Sequence, residues 1–380
     1  MERFKIDVPS SVLEDLQGRL LRARFPDQLD GAGWAYGTEL DYLRELVCYW
    51  REHYDWRAQE RALNSFEQYK TQVGELDVCF LHHRSPEPDA FPLVITHGWP
   101  GSIFEFRKII GPLTDPSAHG GRREDAFHVV CPSMPGYGFS EAPRKPGFGI
   151  RQVAETNAAL MAALGYQRYG AQGGDWGAVA TAQLARVDPE HVAGLHINML
   201  LAGPPRGAKS PTDGVTAEEL PWLAEMANLR RYETGYQRLQ RTKPQTLGYA
   251  LNDSPVGLAA WIVEKFRGWS DCNGDVETRF SKDELLTNVM LYWVTQSITS
   301  SMRLYYETER ARARGPEPRI ETPTAAAIFP RELYKTPRAW AAAAFNLQRY
   351  TVFPAGGHFA ALEEPEALVG DIRAFFRTLR

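Results

Sequence analysis

The feature that most restricts this chain is the run Gly173-Gly174-Asp175-Trp176-Gly177. A short apolar stretch, residues 168–172, precedes it, and the small and apolar residues 178–187 follow in a pattern that suits a helix. Glycines two positions either side of the centre reproduce the spacing of the G-x-S-x-G strand-to-helix turn, with aspartate where that turn carries serine. Such a turn pushes its central side chain out beyond the end of a sheet, and the small neighbours let strand and helix close around it. A carboxylate held there is a nucleophile candidate. Alone, the run also reads as a helix N-cap, because aspartate before a helix accepts backbone N–H bonds. The rest of the chain has to supply the partners that only a nucleophile needs.

The surrounding pattern predicts an α/β fold with a mostly parallel sheet. Residues 9–24 read as a helix with capping serines at its start, and Leu40, Leu43, Val47 and Trp50 form a second apolar stripe, with Thr38 and Asp41 spaced as a capping box. These make a helical N-terminal unit, residues 1–66, with too little apolar surface to fold alone. From Tyr69 the period changes to two, which predicts a hairpin around Gly74. Residues 91–97, 127–131, 168–172 and 191–199 then read as buried parallel strands separated by helical segments. This alternation predicts a first core segment over residues 67–200. Residues 203–214, rich in Pro and Gly, break it. After them comes a long helical stretch with capping-box starts at Thr216/Glu219 and Ser281/Glu284 and a high density of Trp and Tyr. A helical, aromatic insertion over the carboxyl edge of a sheet, residues 201–318, is what a cap over an apolar ligand would be, although most of its aromatics equally suit the insertion's own core. Residues 319–330 and 347–353 return to strand patterns, residues 364–379 form an amphipathic helix, and residues 319–380 complete the core.

A nucleophile on such a turn needs an orienting acid and a histidine, and in this arrangement they follow it in that order. His358, in Ala355-Gly356-Gly357-His358-Phe359, comes just after the last strand, and Glu332, in Phe329-Pro330-Arg331-Glu332-Leu333, just after the one before. Spacing alone leaves Glu332 in competition with Glu321, Glu363 and Glu364. The turn His97-Gly98-Trp99-Pro100-Gly101 ends an earlier strand. Its Trp99 N–H and the Trp176 N–H are the candidate oxyanion donors, and His97, Pro100 and Trp176 the candidate pocket wall.

Taken together, His97-Gly98-Trp99-Pro100-Gly101-Ser102, Gly173-Gly174-Asp175-Trp176-Gly177, Gly356-Gly357-His358-Phe359-Ala360-Ala361 and the cap run 251–260 resemble the microsomal-type epoxide hydrolases of the α/β-hydrolase superfamily. The resemblance covers nearly the whole chain, including the helical N-terminal unit. It implies an α/β-hydrolase fold with a helical cap and an N-terminal helical extension. It also implies a nucleophile at Asp175, a general base at His358 and an acid partner at Glu332. Two cap tyrosines would hold the epoxide oxygen: Tyr236 matches the first, and Tyr305, with Tyr306 beside it as the alternative, the second. Membrane-bound members begin with an anchor helix that has no counterpart here.

The implied reaction opens an apolar, aryl-bearing or other, epoxide to a vicinal diol through an ester at Asp175. The partners are then a small-molecule epoxide and water, with no cofactor and no metal. A haloalkane dehalogenase, which shares the aspartate and histidine, and an inactive scaffold binding an apolar ligand or protein are the rival readings. A formal net charge of -4 and pI near 6.2 give no basis for nucleic-acid binding. The N-terminus carries neither a signal sequence nor an apolar span, which predicts a cytoplasmic protein without a membrane anchor and leaves a homodimer open. Cys48, Cys79, Cys131 and Cys272 lack zinc-type spacing and read as reduced packing residues.

Overall fold

The computed structural model describes residues 1–311 and 317–380. Residues 312–316, in the stretch expected as a cap, lie outside the described residues. One nine-stranded sheet is built from β1 (Glu2–Arg3), β2 (Gln68–Val73), β3 (Leu76–His83), β4 (Phe91–Thr96), β5 (Phe127–Pro132), β6 (Tyr169–Gly173), β7 (Val192–Asn198), β8 (Ile320–Ile328) and β9 (Phe345–Val352). Their order is β1-β2-β3-β5-β4-β6-β7-β8-β9. Pairing is antiparallel from β1 through β3 to β5 and parallel from β5 to β9. The predicted hairpin is β2 and β3, and the predicted apolar runs are the parallel strands.

Continuously apolar strands require cover on both faces. On one face helices Ile150–Ala163 and Asp175–Val187 pack Ala154, Leu160, Ala178 and Leu184 against Val94, Ala171 and Ile197. On the other, the short helix Ile103–Lys108 and the C-terminal helix Pro365–Phe376 set Ile103, Phe106, Ile372 and Phe376 against Leu93, Ile95 and Val129. A third apolar cluster joins the N-terminal helices to the helices between β7 and β8, with Leu16, Leu43, Trp50 and Trp56 packed among Leu258, Ile262, Leu286 and Met290. Polar ties cross the same boundary: the Thr38 hydroxyl donates to the Ala260 carbonyl at 2.7 Å and the Tyr49 hydroxyl to Asp283 at 2.9 Å.

Local details differ from the sequence reading where side chains found better partners. The first helix runs Ser10–Leu21 from a Pro9 cap, so its serines lie inside the first turn and do not cap it. Thr38 bonds the cap, and Glu39 instead accepts the Tyr42 N–H that starts helix Leu40–Glu52. A further helix, Trp56–Leu63, lay unread between the second stripe and the hairpin. Glu219 accepts from the Thr216 N–H, but the helix begins only at Leu220, whereas the Ser281/Glu284 box caps Lys282–Thr295 as expected. Among the cap aromatics Tyr232 and Tyr249 are exposed, so they belong neither to its core nor to a pocket wall.

Two registers decide what meets at the carboxyl edge. β4 has β5 on one side and β6 on the other, which makes it the point where strand order reverses and a crevice opens. Thr96 pairs with Gly173, which sets the loop after β4 beside the turn after β6. Ile328 pairs with Val352, and a bridge between Arg331 and Gly357 keeps the two following loops together, so Glu332 and His358 become neighbours. Among the described residues no helix is long and apolar enough to cross a membrane.

Candidate active site

Asp175 stands at the first position of helix Asp175–Val187, directly after β6 and Gly174, with φ of 51°. For a side chain other than glycine this left-handed backbone costs about 1–3 kcal/mol and persists only where packing enforces it. The packing is visible at Gly177, where a Cβ would stand 1.8 Å from the Thr96 carbonyl oxygen. Helix and strand are thus closer than any other residue permits, and the turn has no room to relax. A Cβ at Gly98 would in turn lie 2.3 Å from both Cβ and Oδ1 of Asp175, so the loop after β4 rests directly on the carboxylate.

The carboxylate is held from two directions. Its Oδ1 accepts the Trp99 N–H at 2.8 Å, and its Oδ2 faces Nε2 of His358 at 3.3 Å. Nδ1 of His358 lies 2.6 Å from Oε1 of Glu332, which also accepts the Leu333 N–H at 2.7 Å. Asp175, His358 and Glu332 therefore form one connected line, and Glu321, Glu363 and Glu364 do not enter it. Trp176 contributes differently from expectation: among the described residues its N–H makes no hydrogen bond to Asp175, and its ring packs edge-on against Tyr305 at 4.7 Å. Burial opposes a charge on His358, but Glu332 and Asp175 outweigh it and hold the imidazole proton well above the ordinary histidine range.

Behind the carboxylate lies a cavity of about 20 Å³, lined by His97, Gly98, Glu105, Asp175, Asn198 and His358 among others. This is room for one water molecule. Glu105 is the polar wall that sequence reasoning missed. Ser102-x-x-Glu105 forms a capping box at the start of helix Ile103–Lys108, and that spacing, directly after the Gly101 turn, was the available signal. Burial pushes the Glu105 carboxyl up to about 8, with Asp175 adding to the rise and His358 opposing it. His97 lines the same cavity, but both ring nitrogens are engaged: Nδ1 with the Gly98 carbonyl at 3.0 Å, and Nε2 with the Met134 N–H at 3.2 Å. Burial drops it to about 4, so it is a neutral brace for the turn. Pro100 is not among the lining residues, and its carbonyl accepts from Asn288 at 2.7 Å.

The helices between β7 and β8 bring the tyrosines over this edge. Tyr236, on Gly235–Thr242, stacks on Trp99 with ring centroids 5.2 Å apart, and its ring meets that of Tyr305, on Ile298–Ala311, at 6.2 Å. Burial, joined by the Asp175 charge, pushes both phenols well above their usual range, so both carry their protons at neutral pH. Tyr306 carries Arg310 over its ring at 3.3 Å, whereas the Tyr305 ring meets those of Trp99, Trp176 and Tyr236. Trp269, unread in the sequence as a site residue, accepts the His358 N–H on its carbonyl at 2.9 Å and sets its ring edge-on to the imidazole at 5.0 Å.

Residues 1–106 match the family described as epoxide hydrolase N terminus, and residues 92–311 match the alpha/beta hydrolase fold family. Epoxide hydrolase 1 of Oryctolagus cuniculus is 41% identical over 98% of this chain and 88% of its own length. The crystal structure of juvenile hormone epoxide hydrolase from the silkworm Bombyx mori superposes with a TM-score of 0.93 at 34% identity, over 100% of this chain and 94% of that one. The structure of Aspergillus niger epoxide hydrolase gives 0.89 at 31% identity, over 100% and 96%. A chain with these relatives along its full length, and with a carboxylate elbow under two phenols, is a member of the epoxide hydrolase family on the α/β hydrolase fold.

Proposed function

We propose that this epoxide hydrolase works through a covalent ester on Asp175. Oδ1 is tied to the Trp99 amide, which leaves Oδ2 to attack a ring carbon. The carbon–oxygen bond of the epoxide breaks, its electron pair goes to the ring oxygen, and Tyr236 and Tyr305 donate to the alkoxide as it forms. Neutral donors placed where charge develops lower the barrier without binding the ground state equally. In the second step water attacks the acyl carbon of the ester while His358 takes its proton through Nε2 and Glu332 balances the imidazolium. The tetrahedral oxyanion then sits on Oδ1, already beside the Trp99 N–H. The small cavity bounded by Asp175, His358 and Glu105 is where this water would wait.

The observation that carries the reading is the unbroken line from Asp175 through His358 to Glu332, with an amide on the opposite carboxylate oxygen. The aromatic walls of Trp99, Trp176, Trp269, Tyr236 and Tyr305 support an apolar, aryl-bearing epoxide as substrate. In this reading residues 1–66 are an N-terminal helical unit, 67–200 and 319–380 the core, and 201–318 the cap. One turnover in ¹⁸O-water, with enzyme in excess, should leave label on the Asp175 carboxylate. Label passing only into diol, together with full activity of Asp175→Ala, would overturn the mechanism.

A further inference from the structure

Lys265 is an ammonium where the mechanism above has no use for one. It lies on helix Pro255–Trp269, and its side chain is 8% exposed. Burying an ammonium is costly unless it is paired and its surroundings compensate. Its ion pair is with Glu264, the neighbouring residue, whose side chain keeps 25% exposure and is the better screened of the two. Two aromatic faces also meet it. Nζ stands over the ring of Tyr236, 4.7 Å from the centroid, and over that of Trp269 at 5.8 Å. The Tyr236 ring also stacks on Trp99, so it is held between an indole and a cation contact with little freedom to turn.

We propose that Lys265 is a positioning and electrostatic residue for ring opening: its ammonium stabilises the negative charge that enters the Tyr236 ring as that phenol donates to the nascent alkoxide. This rests on the reading that Tyr236 is a donor to the epoxide oxygen. A cation over an aromatic face is attracted by the ring's electron density, and the attraction grows as the O–H proton shifts toward an acceptor. The ground state, a neutral phenol, gains less than the transition state, so the contact acts on rate more than on substrate binding. Burial, Asp175 and Tyr334 work against charge on Tyr236, while the hydrogen bonds with Gln237 and Tyr305 favour it. Asp175 lies at the elbow, Tyr334 beyond β8 and Tyr305 on helix Ile298–Ala311, and Gln237 Nε2 donates to the phenol oxygen at 3.0 Å. Lys265 adds a cation over the ring face to these two hydrogen bonds.

The test separates the two chemical steps. With styrene oxide as probe, ester formation and ester decay are followed in single turnovers by rapid quench and intact-protein mass. Lys265→Met, which keeps the length and removes the charge, should slow ester formation roughly 5- to 30-fold and leave ester decay within about twofold. In a Tyr236→Phe background the same substitution should have no further effect. Equal loss in both steps, or an undiminished loss without the phenol, would mark Lys265 as a support of the fold and overturn the inference. A Tyr236→Phe variant that opens the epoxide at the normal rate would instead remove the donor reading itself. A normal Tyr236→Phe deficit beside a silent Lys265→Met would sink the Lys265 role alone. Should the methionine variant fail to fold, Lys265→Gln gives the same comparison with a polar end and no charge.

Discussion

Glu332→Gln is the substitution that most sharply divides the proposed two-step mechanism from a simple one-step hydrolysis. The glutamate is 5% exposed, and its Oε1 accepts from His358 Nδ1 at 2.6 Å and from the Leu333 N–H at 2.7 Å. Glutamine has the same shape and can keep its oxygen in both bonds. What it loses is the charge facing an imidazole that must become positive when water gives up its proton. Removing one member of a buried charged pair costs about 3–5 kcal/mol, and each 1.36 kcal/mol is tenfold in rate, so ester hydrolysis should slow by roughly 10²- to 10⁴-fold. Ring opening needs no proton on His358 beyond what Asp175 already faces, and it should change little. Substrate in excess would therefore convert the variant quantitatively to ester, visible as a gain of one epoxide mass on the intact protein within seconds of quenching. The amide –NH₂ would occupy the place of Oε2, which has no hydrogen-bond partner among the described residues, so no bond is lost at that position. Parallel slowing of both steps, or absence of the trapped ester while turnover falls, would refute the assignment of Glu332 to the second step.

Three other outcomes follow from named contacts. Gly98→Ala introduces a Cβ 2.3 Å from Oδ1 of Asp175, where about 3.4 Å is the ordinary limit, and a shift of about 1 Å at the nucleophile should lower the single-turnover rate by roughly 100-fold, with circular dichroism little changed. Tyr236→Phe and Tyr305→Phe should each slow ester formation, by roughly 10²-fold or more for a lost donor in a water-poor site, and should leave hydrolysis of a preformed ester near its normal rate in quenched-flow experiments. Glu105→Gln tests linkage. A carboxyl whose folded value is raised from its ordinary 4.5 to about 8 keeps its proton in the folded state over a range where the unfolded chain has lost it. This group therefore lowers stability as pH rises from about 4.5 to about 8, with the loss complete above the upper value. Urea midpoints at pH 5 and pH 8 should differ less in the variant than in the parent, and an unchanged difference would show that Glu105 is ionised in the folded state.

The sequence disclosed the site better than its enclosure, for physical reasons. Asp175, Trp99, His358 and Glu332 all sit in loops directly after strands, where glycines and prolines mark the chain reversals and the parallel order brings the carboxyl ends together. Local pattern plus strand order was enough to bring out the candidates. Glu332 was singled out from Glu321, Glu363 and Glu364 only by the family motif, because the choice depends on the Arg331–Gly357 bridge, a contact between loops that no local spacing encodes. Glu105 escaped because a capping box reads as helix chemistry, and only the fold turns that helix start toward the carboxylate. Trp269 and Lys265 escaped because helix Pro255–Trp269 is apolar on most of its faces, so its sequence gives no sign of which side faces the nucleophile. The Thr38 capping reading failed because a tertiary acceptor, the Ala260 carbonyl, competes with the local ones, and the Thr216 reading because the helix starts only at Leu220.

The same contacts bear on how one histidine can stand beside the nucleophile in the first step and serve as base in the second. In the resting enzyme both Glu332 and the Asp175 carboxylate favour a proton on His358, against the burial that would strip it away. Esterification on the proposed path removes the Asp175 charge and its hydrogen bond to Nε2 while leaving burial and Glu332 in place. The balance on the imidazole then moves toward the neutral form at the moment when a proton acceptor is required. On the proposed path, aspartate in the serine position would be more than a change of nucleophile, because its charge would contribute to the protonation of its own base and be withdrawn on reaction. An Asp175→Asn variant reproduces the uncharged, unreacted counterpart of the ester. In ¹⁵N-resolved titrations its His358 should lose the imidazole proton at lower pH than in the parent enzyme. A His358 titration indifferent to the charge at residue 175 would mean that Glu332 alone governs the base, and that the two steps are not coupled through the carboxylate.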